Sequence, residues 1–213
     1  MQTQIFNISA LAADRQYQIA RALEKGAVAV FATDTVYGIG TGARCQESID
    51  RIYALKKRPA TQPLQLLVAT FIQAQQIVNF SDGALRLAQH YWPGGLTLIV
   101  PPSRRGRPLL RASQALGLRI PAYLPLLRIL ALMNMPVAST SANLHGQPVL
   151  TREEDVIQTF NGQVDYILTD GTLSATASTV LDVTSAQPHV LRAGSIDVEE
   201  MLQLYHQEDE DTL

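Results

Sequence analysis

The chain reads Ala27-Val28-Ala29-Val30-Phe31-Ala32-Thr33-Asp34-Thr35-Val36-Tyr37-Gly38-Ile39-Gly40 over residues 27–40, and this stretch decides the fold class. Its first five residues are apolar and include two β-branched valines, which predicts a short, buried β-strand. Residues 32–40 then predict a polar turn that contains two glycines. The stretch therefore predicts a buried strand that leads directly into a polar segment.

The patterns on both sides of this stretch alternate between helix and strand. Helical spacing and the stop at Gly26 predict a first helix over about residues 12–25. A second helix turns Ile49, Ile52 and Tyr53 inward and ends before Pro59. Further strands are predicted at 64–69, 96–100, 137–138, 165–169, 178–183, 189–192 and in the segment that ends at 121, and further helices at 71–79, 82–91, 123–134, 151–160 and after 196.

Strands and helices intermix without a linker, repeat or low-complexity tract, which predicts one α/β domain. We expect a twisted sheet of mixed parallel and antiparallel strands, flanked by helices, over residues 1–196. Residues 197–213 are expected to form an acidic C-terminal helix and tail. Thr151 and Glu154 match a capping box for the helix 151–160.

The composition limits the class of protein. Hydrophobic residues make up 46% of the 213 residues and charged residues 17%, as in a soluble globular protein. No run reaches the roughly 18 apolar residues of a membrane helix, and no secretory signal pattern opens the chain. Cys45 is the single cysteine, so we expect no internal disulfide and no cysteine metal site. The histidines lack zinc-site spacing, so no protein metal site is predicted. A cytoplasmic protein fits these features.

The formal net charge of −2 hides a segregation of charge along the chain. Residues 51–150 carry eleven Lys and Arg and one acid, whereas residues 197–213 carry seven acids and no Lys or Arg. A basic, concave face of this kind attracts anions, for which nucleotides and RNA are the candidates. The alternative is that the arginines at 104, 105, 107 and 111 only keep a loop soluble.

The densest basic cluster is Lys56-Lys57-Arg58-Pro59, in a chain with three lysines. Clustered cations offset phosphate charge, and an arginine binds two oxygens at once, so the cluster is a candidate triphosphate site. A solvated helix end, where cations favour the negative end of the dipole, is an equally good explanation.

A second polar cluster, Ser139-Thr140-Ser141-Ala142-Asn143, ends a predicted strand. Open α/β sheets bind ligands beyond strand ends, and hydroxyls and amides donate to phosphate oxygens without carrying charge. An ordinary turn with local capping is the alternative. Arg119 lies in an apolar segment, so its charge needs a carboxylate, phosphate or ligand as partner. The sequence has no phosphate-binding glycine loop, so an ATP site would be built from side chains that the fold brings together.

Seven motifs occur in the order seen in one family. They are Thr33-Asp34-Thr35-Val36-Tyr37-Gly38, Lys56-x-Arg58-Pro59, Trp92-Pro93-Gly94, Leu118-Arg119-Ile120-Pro121, Ser139-Thr140-Ser141-Ala142-Asn143, Ser178-Thr179-Val180 and Leu191-Arg192-x-Gly194. Over about residues 15–196 the chain resembles the Sua5/YrdC/YciO family, whose characterised members are L-threonylcarbamoyladenylate synthases. It is similar to the short, YrdC-type form of the family.

The resemblance implies an enzyme that combines L-threonine, bicarbonate and ATP into threonylcarbamoyl-AMP and releases pyrophosphate. Proteins of the transfer complex then move the threonylcarbamoyl group to adenosine 37 of transfer RNA. Mg²⁺ would accompany ATP through substrate oxygens. By the same resemblance, the catalytic residues are Lys56, Arg58, Ser141 and Asn143, the ATP-binding residues are Arg58, Asn143, Thr151 and Arg192, and the threonine-binding residues are Thr35, Arg119, Ser141 and Ser178.

Four positions depart from the family pattern, and two other functions stay open. Ala32 stands in place of a usual proline, Lys57 of a common glycine, Leu67 of a histidine found in many members, and Ala122-Tyr123 of a polar pair. The first alternative is a non-catalytic protein that binds transfer RNA or double-stranded RNA on the basic face. The second is a YciO-like paralogue with the same fold. Thr151 remains either a helix N-cap or an ATP contact.

Overall fold

The computed structural model describes residues 2–59, 61–110, 114–174 and 176–207. Its strands are β1 (Gln4–Asn7), β2 (Ala29–Phe31), β3 (Gly38–Gly42), β4 (Gln65–Leu67), β5 (Leu96–Val100), β6 (Leu116–Arg119), β7 (Val137–Ser141), β8 (Tyr166–Thr169), β9 (Thr179–Asp182) and β10 (His189–Arg192). Its helices are α1 (Ala13–Glu24), α2 (Gln46–Lys56), α3 (Phe71–Ile77), α4 (Asp82–Tyr91), α5 (Leu124–Ala131), α6 (Glu153–Phe160) and α7 (Val198–His206), with 3₁₀ turns at Ile8–Ala10 and Arg107–Leu109.

The strands form one mixed sheet, in the order β1-β8-β2-β3-β7-β4-β6-β5-β9-β10. β8 lies between β1 and β2 and is parallel to both, and β4 and β6, like β5 and β9, are also parallel pairs. The remaining neighbours, such as β3 and β7, run antiparallel. The predicted mixed α/β sheet flanked by helices is confirmed.

Two elements at the N-terminal side differ from the prediction. The polar turn predicted over 32–40 is wrong from Gly38 onward, because Gly38–Gly42 forms β3 between β2 and β7. A Cβ at Gly40 would lie 2.7 Å from Val137 Cγ1 and 2.8 Å from the Ala138 carbonyl oxygen. Glycine therefore allows β3 to approach β7. Because glycine has a low strand propensity, the sequence pattern does not predict this strand. The short strand β1 was not predicted.

The ends of α1 and α2 follow from backbone conformation. Gly26 has φ +98° just after α1, as the predicted helix stop requires. α2 ends with Lys57 at φ 51°, a left-handed conformation that favours glycine. The departure at Lys57 therefore lies at the position in this turn where a glycine fits best.

The capping box predicted at Thr151 is wrong. Helix α6 begins at Glu153, its N-cap residue is Arg152, and no side chain caps the first turn. The acidic first turn of α6, which includes Glu153 and Glu154, favours the positive end of the helix dipole instead.

Two hydrophobic cores pack the helices against the sheet. The first core packs α1, α5 and α6 against β2 and β8, and the second core packs α4 and α7 against β4, β5 and β6. Met201 and Tyr205 bring the predicted C-terminal helix, α7, into the second core. The boundary at residue 196 stays a prediction, and the end of the acidic tail, 208–213, lies outside the described residues. Within the described ranges no helix has the length and hydropathy to cross a bilayer.

Candidate active site

A cavity of about 230 Å³ lies on the side of the sheet that faces away from the second core. Side chains alternate between the two faces of a strand, so Leu66 and Leu118 enter the second core while Leu67 and Arg119 line the cavity. Six of the nine predicted site residues line it. They are Thr35, Arg58, Arg119, Ser141, Ser178 and Arg192. The fold therefore brings together side chains from segments far apart in the sequence.

Arg119, at the end of β6, is 3% exposed, and all three of its side-chain nitrogens donate hydrogen bonds. Nη2 pairs with Asp34 Oδ1 at 2.6 Å, and Nη1 donates to Thr35 Oγ1 at 3.1 Å. Nε donates to the Gly94 carbonyl oxygen at 2.9 Å. Burial lowers the pKa of Arg119, and the Asp34 charge opposes this shift. Of the partners predicted for this charge, the carboxylate is present.

Ser178 and Arg192 form another part of the wall. Arg192 donates from Nε to the Ser178 carbonyl oxygen and from Nη2 to Ser178 Oγ, both at 2.9 Å. Ser178 Oγ also lies 3.1 Å from Thr97 Oγ1, which donates to Gln65 Oε1 at 2.8 Å. This chain of hydrogen bonds fixes the Ser178 hydroxyl between β5 and β10.

The cavity is electropositive. Arg58, Arg119 and Arg192 all line it, and none of the described lining residues is acidic. Burial lowers the pKa of Arg58, and the pKa of Arg192 is lowered by burial and then by the charges of Arg119 and Arg58. Cations that lower one another's pKa in a low-dielectric hollow lose this repulsion when an anion binds between them.

Lys56 does not face the cavity. It is 1% exposed, and its Nζ donates to the Ser141 carbonyl oxygen at 2.5 Å and to the Asn143 carbonyl oxygen. Nζ also lies 3.4 Å from Asn143 Oδ1. The ammonium thus fastens the end of α2 to the segment after β7.

Asn143 lies behind Ser141, on the same side of the molecule as Arg58. Ser141 Oγ, on the cavity wall, donates to Asn143 Oδ1 at 2.5 Å. The amide nitrogen of Asn143 donates to the carbonyl oxygens of Leu144 and Gln147, at 3.0 and 2.6 Å. The Asn143 side chain therefore shapes the loop beside the cavity and is not part of its wall.

Thr151 also lies outside the cavity wall. Its carbonyl oxygen accepts a hydrogen bond from Leu173 N at 2.8 Å, which ties the start of α6 to the β8–β9 connection. No hydrogen bond of its hydroxyl is present within the described part of the chain. A role of Thr151 in binding ATP stays a prediction.

Several polar residues in or beside the cavity were not among the predicted site residues, and Tyr37, Gln65 and Thr97 are the clearest cases. Tyr37 lines the cavity, and its hydroxyl donates to the Gly171 carbonyl oxygen at 2.7 Å and accepts from Asp170 N at 3.1 Å. Gln65 lines the cavity, and Thr97 holds Ser178. The signal for Tyr37 was its place in the quoted 27–40 stretch. A polar residue in an apolar strand, such as Thr97, is a weaker signal.

No group of three or more His, Cys, Asp or Glu side chains suited to a metal ion occurs within the described ranges. The acid nearest to the arginine cluster, Asp34, is paired with Arg119. This donor set does not form a protein cage for Mg²⁺.

A prediction about pH follows from the burial of Lys56. Burial, with a further contribution from the Arg58 charge, lowers the pKa of Lys56 from 10.5 to about 8. Between these values the unfolded chain holds a proton that the folded chain has released, so folding becomes more favourable as the pH rises. We expect the free energy of unfolding of the wild type, minus that of Lys56→Met, to increase by about 3 kcal/mol from pH 7 to pH 10.5.

Urea titrations of both proteins at pH 7, 9 and 10.5 measure this difference. Subtracting the Lys56→Met values removes the contribution of every other titrating group. A difference that stays constant across this range would show that Lys56 titrates normally.

Comparison with known proteins identifies the family to which this chain belongs. The model of the Sua5/YciO/YrdC family, described as "Telomere recombination", matches residues 21–194. The chain belongs to the Sua5/YciO/YrdC family. The threonylcarbamoyl-AMP synthase of Pyrococcus abyssi is 34% identical over 182 residues, which are 84% of this chain and 54% of that protein. This Sua5/YciO/YrdC chain thus spans about half the length of that relative.

Solved structures of the Sua5/YciO/YrdC family share the fold. P. abyssi Sua5 complexed with L-threonine has a TM-score of 0.87 and 31% identity, with 95% of this chain and 61% of that one covered. Escherichia coli YciO has a TM-score of 0.86 and 26% identity, with 94% and 100% covered. The family and fold predicted from the sequence motifs are confirmed. The family departure at Leu67 lies inside the cavity.

Proposed function

We propose that this Sua5/YciO/YrdC protein makes threonylcarbamoyl-AMP from L-threonine, bicarbonate and ATP and releases pyrophosphate. The observation that carries the proposal is the convergence of three guanidinium groups with the predicted hydroxyls of Thr35, Ser141 and Ser178 on one cavity of about 230 Å³. The relative from P. abyssi carries the name of this activity, and the solved Sua5 structure holds L-threonine.

The reaction brings together anions that repel one another. The amine of threonine attacks bicarbonate carbon and water leaves, which forms a carbamate. A carbamate oxygen then attacks the α-phosphorus of ATP, the bond from that phosphorus to the bridging oxygen of the β-phosphate breaks, and pyrophosphate leaves. A cationic cavity lowers the barrier by offsetting this charge and by holding the reactants in line.

Each cavity residue has a proposed role in that scheme. Arg58 and Arg192 bind the phosphates, and the Arg58 charge stabilises the departing pyrophosphate. Arg119 pairs with the threonine carboxylate, with hydroxyls of Thr35 and Ser178 beside it. Ser141 donates from the wall. Lys56, Asn143 and Thr151 do not line the cavity, and we assign them a positioning role. Their hydrogen bonds hold the segments that carry the wall residues.

ATP would enter the site as its Mg²⁺ complex. Phosphate oxygens of ATP, rather than a set of protein side chains, would bind the metal ion. We propose that proteins of a transfer complex take the product and pass the threonylcarbamoyl group to adenosine 37 of transfer RNA. A transfer RNA target would place the reaction in the cytoplasm.

The test is incubation of the purified protein with Mg²⁺-ATP, ¹⁴C-bicarbonate and L-threonine. We expect threonine-dependent release of pyrophosphate and a labelled nucleotide product. Arg58→Gln should lower kcat by about 10²–10³ without a change in stability, since its guanidinium bonds only to the carbonyl oxygens of Gln62 and Pro63 in the described structure. Arg152→Gln, which breaks an exposed ion pair with Glu154, is the matched control.

Two outcomes favour other functions. RNA retained in a salt-sensitive way, with no pyrophosphate above background, would support the non-catalytic RNA-binding alternative. Pyrophosphate release with another amino acid but not with threonine would support a YciO-like paralogue. The structural similarity to E. coli YciO and the presence of Leu67 in the cavity wall are the reasons to test this alternative.

A further inference from the structure

A second hollow lies at the other end of the strands that form the active site. β7 ends at Ser141 beside the cavity, whereas Met135 and Pro136 precede its start and line the second hollow. Its volume is about 490 Å³, within the range of ligand-binding sites. We name it the arginine groove after Arg44, which follows β3, and Arg105, which lies after β5; both line it.

The chemistry of the arginine groove combines cations with an aliphatic surface. Arg44 and Arg105 are exposed, and neither guanidinium makes an ion pair with the described residues. The aliphatic part includes Val68, Ile77 and Leu109, in addition to a methionine and two prolines. No described lining residue is acidic or aromatic. The groove therefore offers positive charge and apolar contact without a partner for either.

The Arg105 wall is held in place by backbone contacts. Ser103 N donates to the Ile77 carbonyl oxygen at 2.9 Å, and Ser103 Oγ donates to the Gln76 carbonyl oxygen at 2.7 Å. Gly106 packs so closely that a Cβ there would lie 1.9 Å from the Ile77 carbonyl oxygen. The loop that carries Arg105 is thus fastened to α3, which reduces the entropy lost when a ligand binds.

We propose that the arginine groove binds an acidic peptide segment of a partner protein. An aliphatic side chain of that segment packs on the floor, and carboxylates on either side of it pair with Arg44 and Arg105. Arginine binds a carboxylate through two parallel hydrogen bonds, and arginine and methionine are enriched at protein interfaces. Gln76 and Asn134 on the same lining supply amide groups that suit a peptide backbone.

Peptide fits the groove better than RNA does. Single-stranded nucleic acid is bound by stacking bases on aromatic side chains, which the described lining lacks. A phosphate backbone would also leave the aliphatic part of the lining without contacts. The inference does not rest on the proposed synthase activity, because neither arginine lines the cavity.

The experiment is a fluorescein-labelled array of nonapeptides that combine Glu or Asp with Leu or Met in all orders. We expect binding of peptides that contain both kinds of residue and weak binding when the acids become Gln or the aliphatic residues become Ser. Arg44→Gln and Arg105→Gln should each weaken binding about tenfold, and Met135→Trp should block it by filling the floor. Arg128→Gln, an exposed arginine on α5, is the matched control.

Far-UV circular dichroism and urea titration of the same variants, measured beside binding, show whether each is folded. The proposal is overturned if the array shows no binder, or if binding is the same in the Arg44, Arg105 and Met135 variants as in the control. It is also overturned if a labelled 20-nucleotide RNA, single-stranded or duplex, competes for the same two arginines with higher affinity than the peptides.

Discussion

Arg119→Met should lower the free energy of unfolding by about 3–5 kcal/mol and reduce turnover in the proposed synthase reaction at least 100-fold. The loss of stability follows because Asp34 is left in a largely buried position, with a side-chain exposure of 14%, without its cation. The loss of turnover follows because the threonine carboxylate loses its proposed partner. Urea denaturation measures the first effect and pyrophosphate release measures the second.

A double variant separates these two effects. Asp34→Asn combined with Arg119→Met removes both charges of the pair, so stability should return to within about 2 kcal/mol of the wild type. Turnover should stay low, because an uncharged side chain at residue 119 does not pair with a carboxylate. Recovery of turnover together with stability would mean that Arg119 only supports the fold.

Lys56→Met should reduce kcat about 100-fold or more while the protein stays folded. Methionine keeps most of the volume of the side chain but donates no hydrogen bond to the carbonyl oxygens of Ser141 and Asn143. The Ser141 hydroxyl then loses its fixed place on the cavity wall. Stability at neutral pH should change by less than about 2 kcal/mol, because relief of a buried charge offsets the lost hydrogen bonds.

Lys25→Met is the matched control, since this lysine is exposed, also has an unbranched side chain and lies outside the basic cluster. Its turnover should remain near that of the wild type. Turnover of Lys56→Met at the wild-type level would remove Lys56 from the mechanism, in either a direct or a positioning role. Threonine KM measured alongside kcat shows whether the amino-acid site or the chemical step is affected.

The site was more predictable than its internal geometry. The resemblance to the family predicted Arg58, Arg119 and Ser178 as site residues, and all three line one cavity. Arg119 ends β6 and Ser178 precedes β9, so the sheet brings these two together, whereas Arg58 arrives from the end of α2. The direction of the Lys56 ammonium was not predictable, since a lysine at a helix end points to solvent or to a carbonyl without a difference in local sequence. Its contacts come from β7, some 85 residues further along the chain.

The wrong predictions about the fold have local physical causes. The sequence predicts a turn where β3 forms, because glycines have low strand propensity, although their lack of a side chain is what lets β3 approach β7. The capping box at Thr151 failed because the helix begins two residues later, at Glu153. Strand and helix patterns with strong apolar periodicity, such as α4 and β5, were found where predicted.

The position of β8 has a consequence for synthesis on the ribosome. β1 and β2 are made within the first 31 residues, yet both wait for β8, whose last residue is Thr169. One edge of β2 pairs with β3, but the other edge of β2 and the whole of β1 leave the exit tunnel long before β8 exists. Their backbone groups must stay hydrated or shielded by chaperones until then. This part of the sheet thus closes only after residue 169 has been translated.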